Sequence, residues 1–328
     1  MKQNWKNKLL TILSLVLCAS TVTACSSVDQ TVVFTPYWNA NINAAETELS
    51  QVFEYKVTLE KSSDSENKYL LDYSNGKYVT KIETEKQKDG SYLYKYSTNF
   101  TVDVTYTLNS GELTSYTSTD TVETTATFQL AQNRLRPHYS YKKIVGTTPL
   151  YDTKYEKIED CYAKIDSTAE TTYAEDGKSG ETKTRNLLTN GTYKDATKKF
   201  SIKSKYTYLD NEQWLFAIRG INPQENATAK VNAFAPFSNA MQSVSISFSA
   251  AKGEDFTFTK NGESVKSTIQ YYPVTVGLNM GTNSGNKQTI WLASYKDNPA
   301  YRNMMIRMEV PLHYSLGTIV YALESATF

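Results

Sequence analysis

Residues 100–108 read FTVDVTYTL, and in this stretch an apolar side chain occupies every second position. Successive side chains of a β-strand point to opposite faces, so a period of two predicts a strand with one buried and one polar face. An α-helix would need an apolar period near 3.6 residues. The stretch therefore predicts a half-buried strand with the inward residues Phe100, Val102, Val104, Tyr106 and Leu108.

The same alternation recurs along most of the chain. It is clear over residues 53–59, 122–130, 200–208 and 304–310, where apolar and polar residues take turns. No repeat of fixed length accompanies these segments, which disfavours propellers and solenoids. We therefore predict many separate strands from residue 51 onward.

Turn-forming dipeptides lie between or beside these segments. Asn75-Gly76, Asp89-Gly90 and Asn261-Gly262 each supply two residues that accept positive φ, as tight hairpin turns require. Neighbouring strands are thus expected to pair antiparallel. The prediction is an all-β fold, mainly antiparallel, built as a large curled sheet, a sandwich or an open barrel. The polar stretch 174–189 is expected to be a mobile connection.

One segment departs from the strand pattern. Asp210 and Gln213 have the spacing of a capping box, and Gly220 supplies a stop. One short helix near 210–219 is expected, covering an end or edge of the sheet. Its apolar face would consist of Trp214, Leu215 and Ile218.

Composition limits the function classes. Charged residues make up 21% of the 328 residues and hydrophobic ones 40%, which is typical of a folded chain. Of 35 basic residues three lie in the first eight positions, so the rest of the chain has 32 basic against 34 acidic residues. This balance does not favour nucleic-acid binding. Residues 50–328 are expected to form a single large β domain, with a candidate sub-boundary near 209–225.

The first 24 residues have the pattern of a secretory leader. Three lysines and no acid precede the uncharged run 9–17, LLTILSLVL. A membrane-spanning helix needs about 20 apolar residues, and this run is shorter. An exported protein is therefore predicted.

The leader ends in Val22-Thr23-Ala24-Cys25, which resembles the lipobox of bacterial lipoproteins. The resemblance implies that residues 1–24 are removed and that Cys25 becomes the lipidated first residue of the mature chain. Residues 25–49 would then form a tether and entry segment. It further implies an extracytoplasmic protein, anchored to a membrane at the cell surface or at its periplasmic face. The alternative is an ordinary signal peptide cleaved after Ala24.

The mature region, with long strands before Leu209, the helix, and later segments at 291–293 and 315–319, resembles bacterial envelope β-domains of unknown function. The resemblance implies one continuous domain in which a large antiparallel sheet curls around an apolar interior. It implies no particular activity.

Few residues point to nucleophilic or metal chemistry. Only His138 and His313 are present, and after loss of the leader and lipidation of Cys25 the remaining thiol is Cys161. Cys161 is expected to be buried and inert, the alternative being a thiol nucleophile. No metal-ligand spacing occurs, and no metal or cofactor is predicted.

Paired acids leave an enzymatic alternative open. Glycoside hydrolysis needs two carboxylates about 5 to 10 Å apart, and Glu159-Asp160 and Glu254-Asp255 are candidates by adjacency. The alternative function is a carboxylate-dependent hydrolase of envelope polysaccharide. Both pairs are also compatible with solvated loop charges.

Tyrosine is the most unusual component, with 25 residues. Tyrosines that share a strand can stack on sugars, contact proteins or close a wide β core. The primary expectation is a non-catalytic binding or structural role, with a glycan, an apolar or lipid molecule, or an envelope protein as partner. The local concentrations are Tyr92, Tyr94 and Tyr96, Tyr139 and Tyr141, Tyr206 and Tyr208, and Tyr271 and Tyr272.

Overall fold

The computed structural model describes most of the chain beyond the leader. The predicted leader, Cys25, the tether up to residue 47, Tyr206 and His313 lie outside the described residues. The described ranges are 48–61, 69–110, 112–131, 134–150, 155–202, 208–222, 228–278, 287–295, 299–312 and 316–328.

The described residues form an all-β fold, which confirms the predicted class. Every strand belongs to one hydrogen-bonded sheet. The strands are β1 (Ser50–Glu60), β2 (Tyr69–Lys86), β3 (Tyr92–Ser110), β4 (Glu112–Ala131), β5 (Arg134–Pro149), β6 (Tyr162–Tyr173), β7 (Ser179–Leu187), β8 (Tyr193–Ser201), β9 (Tyr208–Asp210), β10 (Thr228–Ala235), β11 (Ala240–Phe248), β12 (Lys252–Lys260), β13 (Glu263–Leu278), β14 (Lys287–Ala293), β15 (Met305–Pro311) and β16 (Thr318–Thr327).

The sheet consists of two runs of strands that meet where β1 pairs with β16. β1 to β8 follow one another in order, β16 lies beside β1, and the sheet continues through β15, β14, β13, β11 and β10 to β9. Most ladders are antiparallel, as predicted, and the parallel pairs are β9 with β10 and β12 with β16. Long antiparallel strands twist, so a sheet of this width rolls up rather than staying flat.

Part of the sheet closes on itself. β12 pairs with β13 on one side and with β16 on the other, which makes a closed ring of β12, β13, β14, β15 and β16. The closing contact is short and joins Thr259 to Ser325 and Lys260 to Ala326. The two-residue turn Asn261-Gly262, with φ of 50° and 86°, positions β12 for this contact and has the predicted hairpin chemistry.

The hairpin predicted at Asn75-Gly76 was wrong. Both residues lie inside β2, where the register with β3 shifts between Ser74 and Lys77 and Asn75 has a φ of 53°. They form a bulge, which also accommodates positive φ. A Cβ on Gly76 would lie 2.3 Å from the carbonyl oxygen of Val57, so the close approach of β1 requires glycine.

The predictions for residues 174–189 and 200–208 also differ from the structure. The stretch 174–189, expected to be a connection, contains β7, which pairs with both β6 and β8. Its polar residues reflect a strand near the exposed extremity of the sheet. The strand predicted over 200–208 ends at Ser201 as β8, and residues 203–207 are outside the described residues.

The predicted helix exists, but its placement differs from the expectation. A 3₁₀ turn (Asn211–Gln213), α1 (Trp214–Ala217) and a second 3₁₀ turn (Ile218–Gly220) form one helical segment, 211–220. The capping box between Asp210 and Gln213 is present. All ten residues of the segment are buried, so it lies within the molecule and has no solvent-facing side. Across the described part of the chain, no helical turn has the length and hydropathy needed to span a bilayer.

Candidate functional site

The two pairs of neighbouring acids are exposed. Glu254 and Asp255 are neighbours on β12 and therefore point to opposite faces. Glu254 accepts a hydrogen bond from the Tyr271 hydroxyl at 2.6 Å, and Asp255 accepts one from Thr268 Oγ1 at 2.6 Å. The other pair lies in the exposed 3₁₀ turn Ile158–Asp160. These four carboxylates fit the solvated-charge interpretation.

Cys161 is buried, as expected. Its side chain is 0% exposed, and Sγ lies 3.8 Å from the carbonyl oxygen of Lys157. Burial raises the pKa of the thiol to about 11, and the nearby Asp160 and Glu159 charges add to this rise. A protonated, enclosed thiol is a poor nucleophile.

His138 is half-buried on β5. Burial and the positive charge of Arg136 lower its pKa, and its Nε2 has no hydrogen-bond partner. Within the described ranges no three histidine, cysteine, aspartate or glutamate side chains gather as metal ligands would.

The tyrosines mainly line the core. Tyr94, Tyr96, Tyr271 and Tyr272 are all buried, which confirms the core interpretation for these residues. β-Propensity and burial explain their enrichment without a ligand. Their rings are not available for stacking on sugars at the surface. Tyr92, Tyr139, Tyr141 and Tyr208 are half-buried.

Trp291 on β14 is the centre of the most prominent half-buried aromatic group. The Tyr271 ring stacks on it with centroids 4.9 Å apart, and the Arg307 guanidinium lies 4.9 Å from the indole centroid. Glu309 Oε1 holds Arg307 Nε at 2.7 Å. Tyr271 belongs to β13 and Arg307 to β15, the strands on either side of β14, so Trp291 is flanked from both sides. The group does not present an open sugar-binding platform.

The strongest convergence of polar groups surrounds the start of the helical segment. We call it the Asp210 network, defined as Asp210, Ser140, Tyr173, Glu212 and Lys142. The Asp210 carboxylate accepts hydrogen bonds from Ser140 Oγ at 2.6 Å, from the Tyr173 hydroxyl, and from the Glu212 backbone N–H at 2.8 Å. Burial raises its pKa to about 6, and the Glu212 charge adds to this rise.

A buried ion pair completes the Asp210 network. Lys142 Nζ lies 3.5 Å from Glu212 Oε1, and both side chains are 2% exposed. Lys142 was not among the residues predicted from the sequence. Its burial could have been predicted from its position on β5, where alternation places Ser140 and Lys142 on the same buried face as Ile144. A polar residue on an apolar face predicts an interior partner.

Arg219 anchors the other end of the helical segment. Its guanidinium lies 4.8 Å from the ring centroid of Phe53 on β1 and donates from Nη2 to the carbonyl oxygen of Arg302 at 3.1 Å. Burial lowers its pKa to about 10. In return, Asn303 Nδ2 donates to the Arg219 carbonyl oxygen at 3.0 Å. A side-chain stack and two hydrogen bonds therefore fix this end.

These contacts connect parts of the sheet that no backbone ladder joins. Among the described residues β9 pairs with β10, whereas Ser140 and Tyr173 belong to β5 and β6 at the other end of the sheet. A small aromatic cluster adds to these contacts between the two ends of the sheet. The ring centroids of Phe200 and Phe234 are 4.3 Å apart, and Tyr173 lies beside both rings. Side chains thus hold the two ends of the rolled sheet together. The Asp210 network therefore stabilises the fold.

A second buried carboxylate lies in the sheet itself. Asp120 on β4 is 2% exposed and accepts hydrogen bonds from the Thr147 backbone N–H at 2.9 Å and from Ser118 Oγ at 3.1 Å. Burial raises its pKa to about 7, although these hydrogen bonds lower it in part. Gly146 leaves room for the group, since a Cβ there would lie 2.3 Å from Asp120 Oδ1.

The chain is similar to a solved structure over most of its length. No protein family and no curated protein match the sequence. Among solved structures, the chain is similar to the crystal structure of a beta-barrel-like protein of domain of unknown function DUF1849 from Brucella abortus. The identity is 12% and the TM-score 0.47, with 85% of this chain and 97% of that chain covered. The similarity is to a bacterial β protein whose function is unknown.

The Asp210 network predicts a large cost for Asp210→Ala. The variant leaves the Ser140 and Tyr173 hydroxyls without an acceptor in the interior, so we expect the free energy of unfolding to fall by about 3 kcal/mol or more. Urea unfolding followed by tryptophan fluorescence measures this. The control is Asp72→Ala, which removes an exposed carboxylate 3.3 Å from Lys61 and should cost at most about 1 kcal/mol. Equal losses in both variants would contradict the structural role of Asp210.

The two buried carboxyls predict a pH dependence. Folding raises the pKa of Asp120 from 3.8 to about 7 and that of Asp210 from 3.8 to about 6. At pH values between the unfolded and folded pKa values, the folded state therefore binds more protons than the unfolded chain. Their contribution to stability is complete at low pH and is lost as pH rises through the folded pKa values. We expect a lower free energy of unfolding at pH 8 than at pH 5. The lowered pKa of His138 acts in the opposite direction, so variants must be compared.

Asp120→Asn isolates the contribution of one carboxyl. The variant keeps an acceptor for Thr147 but cannot titrate, so the fall in stability between pH 5 and pH 8 should be smaller than in the parent protein. Asp103→Asn is the control, because Asn75 and Thr119 lower the pKa of that exposed carboxyl and it cannot produce a fall of this sign. An unchanged fall in Asp120→Asn would show that Asp120 is ionised throughout this range.

Proposed function

We propose that this protein is an extracytoplasmic lipoprotein, anchored to a membrane through lipid on Cys25, whose β domain has a non-catalytic role in contact with another envelope component. The observation that carries the anchor is the order of its first 25 residues, from a basic start through an apolar run to Val22-Thr23-Ala24-Cys25. Each buried methylene of an acyl chain contributes about 0.8 kcal/mol, so two chains hold a protein firmly.

The use of the buried polar residues supports a non-catalytic role. Acids with raised pKa values are candidates for acid–base catalysis when they line a cleft. Asp120 and Asp210 are instead enclosed at 2% and 0% exposure. Each accepts a hydrogen bond from a residue of β5, Thr147 and Ser140 respectively. Their chemistry is already used to hold the fold together.

The helical segment favours an external partner over an apolar ligand enclosed by the sheet. Phe216 packs against the rings of Tyr94, Tyr96 and Phe128, with centroid distances of 6.3, 5.6 and 5.4 Å. These rings belong to the inward faces of β3 and β4, where an enclosed ligand would have to bind. Since the chain's own segment covers them, the outer surface is the better candidate for contact with a partner.

Cys25→Ala tests the anchor. The variant should leave the membrane fraction or stay unprocessed and should lose acyl labelling, whereas the parent protein partitions with membranes. Cys18→Ala is the matched control, because Cys18 follows the bulky Leu17 and would be removed with the leader. Fractionation, labelling with a radioactive fatty acid and mass spectrometry of the mature N-terminus provide the readouts. Continued acylation of Cys25→Ala, or equal loss in both variants, would overturn the assignment.

A further inference from the structure

β8 is a long strand at one end of the sheet with one edge available. It pairs with β7 on one side and ends the strand order, and among the described residues no strand pairs with its other edge. Seven of its nine residues are exposed. A free edge presents unpaired backbone N–H and C=O groups and is a template for another strand.

Two backbone hydrogen bonds at the ends of β8 show which of its residues bond to β7. Leu188 N–H donates to Thr192 O at 2.8 Å, and Ile202 N–H donates to Lys178 O at 2.6 Å. In an antiparallel ladder hydrogen-bonded and non-hydrogen-bonded pairs alternate, so the even-numbered residues of β8 bond to β7. The backbone groups that point to the free edge belong to Tyr193, Asp195, Thr197, Lys199 and Ser201.

We propose that two copies of this chain pair antiparallel along β8, about a two-fold axis at Thr197. This register pairs the whole strand, with Tyr193 opposite Ser201 of the second copy and about ten backbone hydrogen bonds. It places Asp195 opposite Lys199 of the second copy twice, once on each side of the axis. Such opposite-charge pairs stabilise neighbouring strands. On the other face, Lys194 lies opposite Phe200 and Lys198 opposite Ala196.

The charges of β8 select this register over its neighbours. An axis at Ala196 would place Lys194 opposite Lys198, and an axis at Lys198 would place that residue opposite itself. An axis at Asp195 or Lys199 would likewise oppose two identical charges. Shifts that pair odd with even residues would lose the backbone hydrogen bonds. The Thr197 axis therefore gives both the longest ladder and no like charges directly opposite each other.

The pairing goes beyond the proposed anchor and does not require it. A single strand pair is a small interface, so the dimer should be weak in dilute solution. A shared membrane would raise the effective concentration of the two copies and favour the same contact. The exposed lysines of β8 also discourage pairing with unmatched strands.

Cysteine cross-linking in the full-length protein tests the register. At the Thr197 axis the two Cα atoms of this residue would be about 5.5 Å apart, within disulfide range. Thr197→Cys should therefore form a disulfide dimer under mild oxidation. Lys199→Cys is the matched control on the same face, because its two copies would be displaced by about 13 Å along the strands. We expect at least ten times more dimer from Thr197→Cys. The native Cys161 is buried and should not contribute.

A mixed sample and a proline variant make the test independent of one residue. Co-oxidised Asp195→Cys and Lys199→Cys proteins should form a heterodimer, because these positions face each other.

Thr197→Pro removes an outward N–H without removing a hydrogen bond to β7, so it should abolish the dimer, whereas Thr197→Val should retain it. Sedimentation in detergent measures both. Equal cross-linking at 197 and 199, no cross-linking, or cross-linking of Thr197→Cys to a different protein would overturn the proposal. Repeating the oxidation with Cys25→Ala at high protein concentration separates the pairing from the anchor.

Discussion

The Asp210 carboxylate connects the start of an interior helical segment to two strands at the far end of the sheet. Ser140 Oγ and the Tyr173 hydroxyl both donate to it, and neither β5 nor β6 shares a backbone ladder with β9 among the described residues. A wide twisted sheet rolls up, and its apolar concave face must then be covered. Here the chain covers that face with its own residues 211–220. The roll is closed by side chains where the ladder stops.

This arrangement explains why the polar interior has a structural function. A charge can be buried only if it has partners. Lys142 pairs with Glu212, and Asp210 accepts hydrogen bonds from Ser140, Tyr173 and the Glu212 backbone N–H. Groups used in this way are not free to bind a substrate. The contacts with other molecules that we propose would involve the outer surface and the free edge of β8, which the proposed lipid on Cys25 would hold near a membrane.

The strands could be predicted from the sequence because their signal is local, whereas the long-range contacts could not. The alternation over residues 100–108 appears as β3, but Asn75-Gly76 fits a hairpin turn and a bulge equally well, and the partner Val57 on β1 decides between them. Similarly, the capping box at Asp210 was visible, but the burial of the whole segment depends on Ser140 and Lys142, each 70 residues away along the chain from its partner.

The helical segment is part of the core, and we expect it to open only with the whole sheet. Native-state hydrogen exchange measured residue by residue tests it directly. We expect the amides of Phe216, Ala217 and Ile218 to exchange as slowly as those of β3 and β4 and with the same dependence on denaturant. Fast exchange of these three amides while β3 and β4 remain protected would contradict it, since the segment would then leave the interior of an intact sheet.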